Sequence, residues 1–209
     1  MRTILAIFLE RRRATLFWVC LLFVVGGGIG WLMAWTLPPT QIQLLKNELT
    51  HYSLWAGQAP PTNSLALLRQ ALTQDLVCTA GIITLAALSL LGAPVVLLLV
   101  GVRGFVLGFT SGLFTQPLGW HSPLVIAAFL LPHNLLIIPG LILLAVAALS
   151  LSKTTLQILL GHRSDTSYGQ QLLATLLMTL VTSGMIAMGD LLQAFVSPYL
   201  LAVVNRFWP

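Results

Sequence analysis

Arg103 lies inside one of the most apolar runs of the chain, and His133 and Asn134 lie inside the next. A charge at such depth is costly and points by default to a functional site with a specific partner. Counted back from the turn near Gly119, Arg103 and His133 fall at similar depths on adjacent antiparallel segments. A guanidinium, an imidazole and a carboxamide at one level have two uses. They bind or conduct a ligand, an anion for example, or they satisfy backbone that has lost its own hydrogen bonds. The stretch LLPHNLLIIPG, Leu130 to Gly140, supplies such backbone. Pro132 removes the hydrogen bond to the carbonyl of Ala128, and Pro139 frees that of Leu135. Irregular helix within a bilayer is tolerated where neighbouring polar groups re-satisfy it. The first reading is therefore a structural polar core of Arg103, His133, Asn134, Pro132 and Pro139. No acidic residue is expected level with Arg103, because Asp75 and Asp190 fall near the outer ends of their segments. Helix-end carbonyls, proline-freed carbonyls and Asn134 are the expected acceptors, or else Arg103 extends along its stem towards water.

Catalytic combinations are missing from the chain. There is no HExxH, so a zinc intramembrane protease lacks its ligands and base. The aspartate of MGD, Asp190, is single where aspartyl acid–base chemistry shares a proton between two. The serine of Thr110–Gly112 lies in a glycine-rich helix face, and His51, His121 and His162 are isolated in loops. Cys20 and Cys78 both fall in apolar runs and read as small core residues rather than a disulfide or metal pair. No Gly-rich phosphate loop is present. The sequence predicts no catalytic residue, no cofactor and no metal.

The elements that carry these residues follow from composition. Hydrophobic residues make up 57% of the 209 and charged residues 7%, against about 25% charged in a soluble domain. The chain is an integral membrane protein, and a net charge of +5 without a basic, aromatic-interleaved patch excludes nucleic acid as a partner. Five stretches reach the roughly 20 residues that cross a hydrocarbon core, at roughly 15–37, 74–92, 94–115, 124–150 and 172–197. The fold class expected is all-α: a single polytopic helical membrane bundle of about five transmembrane helices over residues 1–209, with one helical extracytoplasmic loop at 38–73. Arg2, Arg11, Arg12, Arg13, Lys153 and Arg163 lie on one side of this arrangement, and Lys46, Arg69 and Arg206 on the other. Positive charge stays inside, so the N terminus is expected in the cytoplasm and the C terminus outside. The apolar run after the ERRR cluster is too long for a cleaved signal peptide and reads as an anchor.

In the outer loop, Ile42, Leu45, Leu49 and Tyr52 share one face at helical spacing. Such a helix either lies on the lipid surface or docks a partner. Gly104, Gly108 and Gly112 recur every four residues, so they line one helix face and let another backbone approach. Packing within the bundle is the preferred reading, with a homo-oligomeric seam as the alternative.

The block from Gly92 to Lys153 resembles the stage II sporulation protein M family. The carrying residues are GAPVVLLLVGVRGFVLGFTSG, LGWHSP and LLPHNLLIIPGLILLAVAALSLSK, with FVSPYL near the end. Related membrane proteins outside the sporulation branch tend to show PHG and then an acidic residue before the second proline. Asn134 and Ile137 stand there in this chain, a substitution that removes an acidic partner for His133. The resemblance implies a scaffold in the mother-cell membrane at the sporulation septum, acting in engulfment. It also implies two peptidoglycan hydrolases as partners, one cleaving glycan strands and one cleaving peptides. The alternative is a small transporter or channel with its polar site at Arg103, His133 and Asn134, although five spans without an evident inverted repeat leave little room for alternating access.

Overall fold

The computed structural model describes residues 12–44, 68–69, 72–81, 83–84, 92–118, 122–160 and 168–196. Among them are α1 (Arg13–Ala34), a π-helical segment (Thr73–Gly81), α2 (Gly92–Leu118), α3 (Ser122–Leu159) and α4 (Tyr168–Phe195), with no strand. In hydrocarbon every backbone N–H and C=O must be satisfied within its own segment, and a helix does that. Four of these helices are long and apolar enough to cross a membrane: Arg13–Ala34, Gly92–Thr115, His133–Leu159 and Tyr168–Phe195. The protein is an all-α polytopic membrane bundle. The expected span at 74–92 falls partly outside the described residues, and its described beginning is the π-helical segment.

Packing of α1 on α2 rests on glycine. A Cβ added at Gly104 would collide with the carbonyl of Phe23, and one at Gly108 with the carbonyl of Gly27. At Gly112 it would come 2.6 Å from Cβ of Ala34 and 3.0 Å from the carbonyl of Trp31. Reciprocally, Gly26 faces the carbonyl of Gly101 and Gly30 that of Phe105. Both helices thus step by four residues in the same direction, so α1 and α2 run parallel with their backbones in direct contact. Removing side chains from both faces is what allows that approach where no hydrophobic force drives helices together in lipid. This seam is filled inside one chain.

A second register joins α3 to α4, and here the helices are antiparallel. The Thr175 hydroxyl lies 3.4 Å from the carbonyl of Ala147, and the Thr182 hydroxyl donates to the carbonyl of Gly140 at 3.1 Å. A Cβ at Gly189 would lie 3.1 Å from the carbonyl of His133. Each step is seven residues on both helices, two turns, so a single helix face carries Thr175, Thr182 and Gly189. Small residues at the seam and threonine hydroxyls across it are the usual means of helix association in lipid.

The two pairs meet at α3, which is the central helix. Its apolar window is 56% buried, against 17–22% in the other three. Ile137, Leu141, Leu144, Ala148 and Leu151 from α3 pack with Val19, Val96, Val100 and Ile186 from the other helices. Apolar side chains on the outside, such as Trp18, Val24, Leu98 and Leu180, stay exposed, as lipid permits. α3 is 38 residues long and helical through both Pro132 and Pro139. It therefore outruns the stretch expected at 124–150, with Thr154 and Thr155 donating back to the carbonyls of Ser150 and Leu151.

Because α1 and α2 are parallel, the chain between them has to return to its starting end. The described part runs that way: Asp75 lies by His133, at the level of Asp190, while the Thr84 hydroxyl lies 3.0 Å from that of Thr179, three turns earlier on α4. At the opposite end, Arg12 donates to the side-chain carbonyl of Gln171 at 2.6 Å and ties the start of α1 to the start of α4.

Candidate functional site

Four ionisable side chains from four segments converge. Arg103 on α2 places Nη2 at 3.1 Å from both Oδ1 and Oδ2 of Asp75, on the π-helical segment. Asp75 Oδ2 lies 3.5 Å from Nε2 of His133 on α3. On its other side, His133 Nδ1 lies 3.5 Å from Oδ1 of Asp190 on α4. The order in space is Arg103, Asp75, His133, Asp190.

Local structure sets each position. Asp75 sits in the first turn of the π-helical segment, a backbone form that is rare and frequently found at functional sites. Gly189, next to Asp190, lets α4 approach the His133 backbone. Arg103 precedes Gly104, so the glycine seam with α1 holds one face of α2 while Arg103 extends towards Asp75. By a rise of about 1.5 Å per residue, the site lies about 28 Å along α4 from Gln171.

Burial is uneven across the cluster. The Arg103 side chain is 23% exposed, Asp75 8%, His133 11% and Asp190 fully buried. Among the described residues, neither carboxylate oxygen of Asp190 accepts a hydrogen bond, and His133 Nδ1 makes none. The carboxylate without a hydrogen bond is the one shut off from solvent.

This geometry corrects the expectation that no acidic residue is level with Arg103. Asp75 accepts from the guanidinium directly, in place of the carbonyls and Asn134 expected from the sequence. It also corrects the inference that His133 lacks an acidic partner, because two flank it. Segments distant in sequence supply them, rather than α3 itself. Asn134 is buried beside His133. Pro139 is exposed. Gly104, Gly108 and Gly112 lie against α1. Of the outer-loop stripe, Ile42 is half-buried in a short helical turn, whereas Leu45, Leu49 and Tyr52 lie outside the described residues.

The residues missed from the sequence are Asp75 and Asp190. The available signal was that 5 acidic residues exist in the whole chain and these two occur within apolar segments. An intramembrane carboxylate needs a partner wherever span boundaries are drawn.

A family model described as stage II sporulation protein M matches residues 19–198, a range that contains all four residues of the cluster. No curated protein and no solved structure matches the chain.

Proposed function

The chain belongs to the stage II sporulation protein M family, and we propose that it is a membrane scaffold that recruits and anchors peptidoglycan-degrading enzymes at the engulfing membrane of the sporulation septum. That it is a sporulation-related membrane protein follows from the family match and the apolar helices. The family match over residues 19–198 carries the finer reading. Support comes from the architecture: two seams, one of glycine and one of threonine and glycine, hold the helices in fixed registers. Such a bundle holds its helix ends in constant relation to one another, which is what a recruiting platform requires. The partners in this reading are one glycan-cleaving and one peptide-cleaving hydrolase, met on the outer face. The N terminus is cytoplasmic and the C terminus outside.

The test is recovery of the intact protein from sporulating cells with identification of what co-purifies. Recovery of both classes of wall hydrolase is expected; their absence, with the protein intact and correctly located, overturns the scaffold.

A second reading, an ion-translocating protein, is favoured by the buried Arg103–Asp75–His133–Asp190 array. Intramembrane ionisable residues in such chains mark ion and proton paths. Flux across liposomes containing the purified protein, abolished by Asp190→Asn, would support it.

A further inference from the structure

We propose that Asp75, His133 and Asp190 form a binding site for one divalent transition-metal cation of the zinc type. These three residues offer one donor atom each within 4.8 Å of one another, and all three are buried. Three atoms so spaced lie within about 2.8 Å of a common centre, and zinc bonds to N and O of about 2.0–2.2 Å require each side chain to move by less than about 1 Å.

The second observation is Asp190 itself. Its side chain is fully buried and directed at His133, and among the described residues its two oxygens accept no hydrogen bond. An ionised carboxylate without hydrogen bonds in such a place costs several kcal/mol unless a cation compensates it. The separations also argue against a shared proton. Imidazole and carboxylate lie 3.5 Å apart on both sides of His133, whereas a charge-assisted hydrogen bond closes to about 2.7–2.9 Å.

Donor chemistry narrows the ion. One imidazole and two carboxylates suit zinc, manganese or iron. Calcium takes about 6–8 oxygen ligands and magnesium keeps several waters, whereas this group offers one donor atom from each of three residues. Three protein ligands leave a fourth position for water or hydroxide. Arg103 acts as a positioning residue: by holding both oxygens of Asp75 it orients that carboxylate, as outer partners of metal ligands do. A bound cation would join the π-helical segment, α3 and α4, which come from three separate parts of the chain. This site is independent of the scaffold reading.

The experiment uses the full-length protein in detergent, purified through a tag without histidine, stripped with a chelator, reloaded with zinc or manganese chloride and desalted. Elemental analysis is expected to find about one metal ion per chain. Asp190→Asn and His133→Gln should each lower retained metal at least about ten-fold, while Met188→Leu, at an exposed position two residues before Asp190, retains it. Zinc should raise the melting temperature of the parent and leave that of Asp190→Asn unchanged. Should the variants fail to fold, X-ray absorption on the zinc-loaded parent reads the ligands directly: one imidazole with oxygen donors and no sulfur. A parent that retains neither metal, variants that retain it as the parent does, or a sulfur-ligated zinc each overturn the site.

Discussion

Arg103 and Asp75 are 28 positions apart in sequence, and Nη2 of the one rests 3.1 Å from both carboxylate oxygens of the other. Neither group is stable alone at this depth. Breaking a buried pair by removing one partner costs about 3–5 kcal/mol, since it strands the other charge. Arg103→Leu and Asp75→Leu should each lower thermal stability in detergent, and the double variant should lose clearly less than their sum. Melting curves of the three proteins measure the coupling. Additive losses would mean that the two side chains act independently.

The glycine contacts predict a graded series. Gly108→Ala and Gly104→Ala place a methyl against the α1 backbone, which cannot give way as a flexible side chain does, and should cost about 1–3 kcal/mol. Gly140→Ala meets Thr182 Cγ2 at 3.4 Å, ordinary contact, and should be tolerated. Gly28→Ala and Gly184→Ala meet nothing within 4 Å and should be neutral. Thermal stability across the five variants should fall into that order; equal behaviour of Gly108→Ala and Gly28→Ala would dismiss the α1–α2 seam.

Across α3 and α4, Thr182→Val keeps the shape of the side chain and deletes its hydrogen bond to Gly140. Hydrogen bonds between membrane helices average about 0.6 kcal/mol. A small loss of stability is expected, well below that of Gly108→Ala. A loss as large as the glycine variants would show that the hydroxyl, not close packing, holds this register.

Orientation is tested by chemistry from outside. In a background lacking Cys20 and Cys78, Asn47→Cys should react with an impermeant thiol reagent in intact protoplasts, and Ser164→Cys should not. The reverse pattern would invert the bundle.

Docking on the outer loop is tested by Leu45→Ser with Leu49→Ser. The double change leaves every described transmembrane helix untouched, so insertion should be normal while recovery of hydrolases falls. Helix-in-groove partners use anchors at this spacing. Unchanged recovery with weaker lipid association would assign the stripe to the membrane surface instead.

The sequence alone determined the solvent, the fold class and the family. A chain with 57% hydrophobic and 7% charged residues has to live in lipid, lipid demands helices, and the ordered motifs between Gly92 and Lys153 carry the resemblance that the family match over 19–198 bears out. The four-residue period of Gly104, Gly108 and Gly112 is likewise legible, being a local property of one helix. Which helix fills that face is not, and neither is the level at which residues on different helices meet. Depth counted from assumed span ends put Asp75 and Asp190 away from Arg103 and His133. In the folded protein α3 is longer than a bilayer crossing requires, and its stagger against α4 is set by Thr175, Thr182 and Gly189. That register brings Asp190 to His133, and a π-helical turn from a distant segment brings Asp75 between His133 and Arg103. Stagger arises from side-chain and backbone contacts summed along two helices at once. No window of a single helix contains it, so the tertiary structure alone decided where the charges meet.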